Sequence, residues 1–194
     1  MELTLDLTKR YTYADYLTWL DDIRRELIDG FINMMAAPTW DHADISYNIS
    51  LQLGVHLLNS NCGCKVFHAP FDVLLPNGGE AEPDKVYNVV QPDVCVVCDL
   101  SKKVDGKCYG APDLIVEVLS PSTRKKDLQK KYALYEKAGV SEYWIADPKA
   151  KTLTVYILQP DGEYDDGAVY IMGEKAPVHI FGGYLIDLQD IFQE

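Results

Sequence analysis

A single glutamate limits what this chain can fold into. The run Pro112-Asp-Leu-Ile-Val-Glu-Val-Leu-Ser120 reads as an extended segment whose middle is apolar except at Glu117. Burying an ionised carboxylate among such neighbours costs several kcal/mol unless a cation or a metal accompanies it. A strand end open to water is the alternative, and the flanking Val116, Val118 and Leu119 argue against it. The fold has to bring a partner to Glu117.

Strand geometry selects a second acid. Asp113 and Glu117 share a face but stand about 13 Å apart along the strand, too far to grip one ion. The upstream segment Gln91-Pro-Asp-Val-Cys-Val-Val is a second strand, opening on Asp93. If the two strands are antiparallel neighbours, Asp93 faces Glu117 across roughly 5 Å of sheet. Asp93 and Glu117 are then the metal-binding candidates, and Asp113 is a turn or strand-start residue.

A cation comes from the helix that follows. One helical face collects Leu128, Tyr132, Tyr135 and Ala138; Lys131 falls within that stripe and Lys130 toward the outer side. An inward lysine is paired or catalytic, unless its stem merely snorkels, and Asp127, one turn before it, is as good an ion-pair partner as a site residue. Arg124, Lys125, Lys126, Lys130, Lys131 and Lys137 crowd into fourteen residues. They read either as a solvated helix face or as a rim facing phosphate.

The rest of the chain supplies a mixed sheet with helices packed on it, an α/β (α+β) architecture over 1–194 in a single domain. Thr12, with Asp15 three residues on, opens a first helix whose apolar stripe runs through Tyr13, Tyr16, Leu17, Leu20 and Ile23. A hairpin follows, Glu26-Leu-Ile and Phe31-Ile-Asn-Met-Met joined by Asp29-Gly30. The second helix spans about Asp41 to Leu58, with Ile45, Ile49, Leu53 and Leu57 inward. Extended segments are expected at Lys65 to Leu75, Asp93 to Cys98 and Leu114 to Leu119. The third helix starts after Pro121, capped by Ser122 or Thr123, and stops at Gly139. Glu142 to Ala146 and Thr152 to Leu158 form another hairpin; Ala168 to Met172, Val178 to Ile180 and a final apolar turn close the chain.

Composition narrows the function classes. Hydrophobic residues make up 47% of the chain, enough for a core without staples, and 18 Lys+Arg against 30 Asp+Glu give a net charge of −12. That balance argues against a protein that coats nucleic acid by bulk charge, though a local basic strip remains compatible with an enzyme acting on it. The apolar runs are far too short for a bilayer, and the start lacks the order of a signal peptide, so a soluble cytoplasmic protein is expected. The five cysteines then read as reduced thiols, buried or idle; Cys62-Gly-Cys64 and Cys95-Val-Val-Cys98 lack a matching knuckle for zinc. There is no phosphate-binding glycine loop, nucleophile elbow or His-Glu-x-x-His. Among the four histidines, His42 at the mouth of the second helix is the one of interest, whereas His56 reads as a packed helix residue.

Taken in order, Glu26-Leu-Ile-Asp-Gly, Ala37-Pro-Thr with His42, Gln91-Pro-Asp-Val, Gly110-Ala-Pro-Asp-Leu-Ile-Val-Glu-Val-Leu-Ser-Pro-Ser-Thr and Lys131-Tyr through Gly139-Val-Ser-Glu-Tyr-Trp-Ile-Ala-Asp-Pro resemble the Uma-two family. This is a restriction-endonuclease-like branch of the PD-(D/E)XK nuclease superfamily, and the resemblance runs from about Tyr11 to Tyr164. It implies a central mixed sheet flanked by helices and hydrolysis of phosphodiester bonds in DNA with Mg²⁺ (or Mn²⁺). Asp93, Glu117 and the Val118 carbonyl would hold the metal, and Lys131 would orient the attacking water. Glu26 would correspond to an additional early catalytic acid, and Tyr135 would support Lys131 or pack on the sheet. Arg124, Lys125, Lys126 and Lys130 would contact nucleic acid. The lysine expected two residues after the glutamate is Leu119 here, and the resemblance moves it to Lys131. A homodimer is expected because cutting both strands is simplest with two sites. A non-catalytic binding or scaffolding protein retaining the fold is the alternative from another class, and a carboxylate glycosidase would need a sugar-sized cleft.

Overall fold

The computed structural model describes residues 5–60, 62–78, 82–120 and 126–193. A reciprocal cap, in which the Thr12 hydroxyl accepts from the Asp15 amide and the Asp15 carboxylate from the Thr12 amide, starts α1 (Tyr13–Tyr16). The hairpin β1 (Arg25–Ile28) and β2 (Phe31–Met34) turns on Asp29 and Gly30, both at positive φ (51° and 80°), the pairing whose twist matches antiparallel strands. Thr39 caps α2 (Trp40–Asn59), whose Ile45, Ile49 and Leu53 are buried while Leu57 is only partly so. The chain continues through β3 (Lys65–His68), β4 (Val73–Leu74), β5 (Val89–Val90), β6 (Val94–Val97), β7 (Lys103–Val104), β8 (Lys107–Tyr109) and β9 (Leu114–Val118). A π-helical turn over Lys126–Lys131 leads into α3 (Tyr132–Ala138), which Gly139 ends in the left-handed conformation. Then come β10 (Glu142–Asp147), β11 (Thr152–Ile157), β12 (Ala168–Ile171), β13 (Lys175–Val178), β14 (Tyr184–Asp187) and α4 (Leu188–Phe192).

These strands build two mixed six-stranded sheets, ordered β2-β1-β5-β4-β8-β7 and β12-β11-β10-β9-β6-β3, beside the small pair β13-β14. In the second sheet β9 lies between antiparallel β6 and parallel β10, and all of its residues are buried, with apolar clusters on both faces of the sheet, as its composition requires. Alternation sorts those faces. Val94, Val116 and Trp144 point toward α2 and α4, whereas Cys95, Ile115, Tyr143 and Ile145 join Val73 and Val90 of the first sheet and Leu134 and Tyr135 of α3. The register pairs Val94 with Val116, which sets Asp93 opposite Glu117 on the face toward α3 and the first sheet.

Several expectations are corrected. The first helix stops at Tyr16 and its stripe does not continue inward: Leu20 is 95% exposed and Leu17 and Ile23 are half exposed. The cause is Trp19, which packs on Tyr11 and Tyr16 beneath the Arg25 guanidinium and turns the chain toward β1. The extended stretch from Lys65 to Leu75 breaks at Ala69-Pro70, and its halves join different sheets. Val178 ends a strand rather than starting one, and His179–Phe181 is a 3-10 turn. The start of the third helix, with Ser122 and Thr123, lies outside the described residues. The cysteines are not all thiols: Cys64 and Cys98, directly opposite at the ends of β3 and β6, are joined in a disulfide, leaving Cys62, Cys95 and Cys108 free. Burial pushes the Cys95 thiol far up and that of Cys108 to about 11, so neither is nucleophilic near neutrality. No described helix is long and apolar enough to cross a membrane.

The 3-10 turn is tied to the sheet by Glu142, a buried residue of β10 whose Oε1 accepts the His179 amide. Burial pushes this carboxyl up to about 7, against the pull of the His179 and Ile180 amides. Because the folded state then holds the proton more tightly than the unfolded chain, stability is greatest below the ordinary glutamate value of 4.5 and falls as pH rises to about 7. Glu142→Gln should flatten that decline between about pH 5 and 7, read by urea titrations at stepped pH.

Candidate active site

The partner that Glu117 requires is Lys131. Its ammonium is 2% exposed and lies 2.7 Å from Glu117 Oε1 and 2.7 Å from Glu26 Oε1, Glu26 being fully buried on β1. Tyr135, one helical turn beyond Lys131, donates its hydroxyl to the same Glu117 oxygen at 2.7 Å. Burial, then the Glu117 and Glu26 charges, hold the Tyr135 hydroxyl well above its ordinary range, so it stays a donor throughout the neutral range. Three elements from two sheets and a helix therefore converge on one buried charge cluster.

Asp93 stands beside it. Its Oδ2 accepts the Val118 amide at 2.8 Å, and its Oδ1 lies 2.9 Å from His42 Nε2 in the first turn of α2. The Val118 contact fixes Asp93 against the end of β9, where Glu117 also emerges. Lys131, Glu117, Asp93 and His42 all line a cavity of about 420 Å³, walled by Pro38, Thr39 and Tyr47 on the α2 side. Asp113 is elsewhere: its carboxylate accepts the Cys98 amide at 2.7 Å, the work of a strand-start residue.

Among the described residues, Lys131 is the one basic side chain of this helical segment that lines the cavity. Lys130 is exposed and does not line it, and Arg124, Lys125 and the side chain of Lys126 lie outside the described residues. Leu128 is 40% exposed, since the π-helical turn breaks the 100° step on which a regular wheel depends. Lys131 and Tyr135 retain the i, i+4 spacing across the junction with α3.

Sequence reasoning missed the support beneath Glu26. The Gln91 amide donates to Glu26 Oε1 at 3.1 Å; its side-chain oxygen accepts from the Arg24 guanidinium and its side-chain nitrogen donates to Asp72 at 2.9 Å. Gln91 thus ties Glu26 to Arg24 and Asp72, and its place two residues before Asp93 is the signal the sequence offers. His56, as expected, packs, stacking on Tyr184.

A hard divalent cation suits the donor set. Asp93, Glu117 and the Val118 carbonyl are oxygen donors at adjacent strand ends; Asp93 Oδ2, which accepts one hydrogen bond, keeps a second lone pair, whereas Glu117 Oε1 already accepts from Lys131 and Tyr135. Among the described residues no group of three or more His, Cys, Asp and Glu is arranged so that it could hold a metal ion, so a cation here would rest on two carboxylates, a backbone carbonyl and water. Mg²⁺ takes one or two carboxylates and fills its remaining positions with water and substrate, whereas structural Zn²⁺ asks for four protein ligands.

The fold is shared with a crystal structure described as a putative nuclease belonging to DUF820 from Anabaena variabilis ATCC 29413, at TM-score 0.72 and 20% identity over 93% of this chain and 97% of that one. The two chains share a mixed α/β fold, which in this one carries a buried cluster of acids and a lysine. Residues 13–188 match the Uma2 family model, described as "Putative restriction endonuclease", and the chain belongs to that family. It is also 28% identical over 153 residues to an uncharacterized protein of Synechocystis sp., slr1290, covering 77% of this chain and 75% of that one.

Removing one member of the cluster leaves buried charge uncompensated. Lys131→Met should lower stability by about 3–5 kcal/mol. Adding Glu26→Gln should recover part of that loss, because one of the two stranded carboxylates is then neutral. Urea midpoints at constant slope read both effects.

Proposed function

We propose that the protein is an endonuclease that hydrolyses phosphodiester bonds of DNA met in the cytoplasm, with Mg²⁺ or Mn²⁺ held by Asp93, Glu117 and the Val118 carbonyl. The observation that carries this reading is the ammonium of Lys131 fixed 2.7 Å from Glu117 on the wall of an open cavity that Asp93 also lines. When bound, the divalent ion supplies positive charge to the scissile phosphate and lowers the pKa of a water. Lys131 donates hydrogen bonds at the same place, orienting the attacking water and offsetting charge that develops on the phosphate oxygens. Its geometry does not depend on the substrate, because Glu26 holds it from behind and Tyr135 completes the Glu117 side. Glu26, Gln91 and Tyr135 act as positioning residues. His42 does the same for Asp93, holding one oxygen while the Val118 amide holds the other.

The reading includes a homodimer that brings two sites to the two strands. From Ser46 to Asn59 α2 carries no Asp, Glu, Lys or Arg, and Tyr47, Leu51, Val55 and Leu58 are exposed along it. Between copies that each carry −12, an uncharged helix face is where approach meets least repulsion. Leu51→Glu with Leu58→Glu should convert a dimer into a monomer by light scattering.

Supercoiled plasmid with Mg²⁺ or Mn²⁺ tests the chemistry. The wild type should nick it, and Glu117→Ala and Lys131→Met, purified identically, should each lose about 10²-fold or more, the scale of removing one preorganised electrostatic group. A wild type that binds DNA without nicking it would favour the non-catalytic binding protein.

A further inference from the structure

A second cavity, of about 290 Å³, lies outside the acid and lysine cluster, between the open edges of the two sheets. Edge strand β3 contributes Lys65 and Phe67, edge strand β7 contributes Lys103, and the β8 end of the same hairpin contributes Lys107. The floor is aromatic: Phe67 and Phe71 stack face to face with centroids 4.2 Å apart and planes within 4°. Among the described residues no aspartate or glutamate lines it, in a chain with 30 of them.

The four lysines around it are not equivalent. Lys102 donates to the Ala111 carbonyl at 2.7 Å, and Lys107 reaches the Asp105 carbonyl and lies over the Tyr13 ring, so those ammoniums are committed to the protein. Lys65 and Lys103 are exposed, one on each bank of the cleft, and no ion pair or hydrogen bond engages either ammonium among the described residues. Two unpaired cations facing each other across an aromatic floor match an anion attached to a flat ring. Phosphate meets the ammoniums while the ring stacks, the combination by which single strands are held without sequence readout.

The cavity is also placed where a strand would leave the first. His68 and Ala69 line the acid cavity, whereas Phe67, just before them, and Phe71, two residues after Ala69, line this one. The segment 67–71 is therefore a wall common to both cavities, and five residues span at most about 17 Å. We infer that this cleft is a subsite for a nucleic-acid strand beyond the cleavage centre, with Lys65 and Lys103 on its phosphates and a base on the Phe67–Phe71 stack. The inference rests on the nucleic-acid substrate proposed above but not on cleavage.

Its test is binding of a fluorescently labelled single-stranded 12-mer to the full chain by anisotropy, in EDTA so that no cleavage intervenes. Lys65→Gln with Lys103→Gln should weaken binding about tenfold and lower the magnitude of the salt slope by about 2. Phe71→Leu, which keeps an apolar side chain but removes the ring, should weaken binding about tenfold and leave the slope unchanged. Thymidine monophosphate should compete only at far higher concentration. Unchanged affinity and slope in both variants, no oligonucleotide binding by the wild type, or competition by the mononucleotide on equal terms with the 12-mer would each overturn the inference. Plasmid nicking by a wild type whose subsite variants bind normally would sink the subsite alone. Lysine-dependent binding without nicking would sink the endonuclease alone.

Discussion

The ammonium of Lys131 is the charge on which the layering depends. It is taken from a helix, buried, and shared between a carboxylate of the first sheet and a carboxylate of the second. None of the three can be left without the others, because desolvating an unpaired charge exceeds anything that local packing would return. The two sheets and α3 are thereby committed to one mutual arrangement, which apolar packing alone would specify less sharply. The same residue lines the acid cavity, so the group that holds the layers together also forms part of that wall.

Division of labour follows. Rigid strand ends present the acids, and helices orient them: the π-helical turn brings the lysine, α3 the tyrosine, and the first turn of α2 brings His42 to Asp93. Cross-strand register does the rest, since Asp93 and Glu117 are neighbours only through the antiparallel pairing of β6 and β9.

What could be read in advance was what depends on local periodicity. Glu117 stood out because an acid in an apolar strand is expensive, and the strand-end geometry that favoured Asp93 over Asp113 needs only residue spacing. A helical wheel puts Lys131 inward, although Leu128, the residue at its zero, is exposed; Lys131 closes the π-helical turn, and its spacing to the buried Tyr135 of α3 is what the wheel has right. Glu26 and Gln91 were much harder to place, because their partners are 105 and 65 residues away in the chain and nothing local announces the contact. The first helix was overextended for a related reason. Leu17, Leu20 and Ile23 have the right spacing, but the chain direction there is decided by where Trp19 packs. The Cys64–Cys98 bond likewise depends on strand register, which a count of cysteines does not contain.

The residue two places after Glu117 has a further meaning. Leu119 is 6% exposed and belongs to the core between the sheets, so the position that a string search would inspect for a cation is taken by packing. Read as letters, this chain looks like one that has lost a piece of equipment; read in space, the charge stands against the same glutamate, delivered from another element. Relatives of this chain should be sorted into intact and degenerate by asking whether any ammonium reaches that carboxylate, from whichever part of the polypeptide it comes.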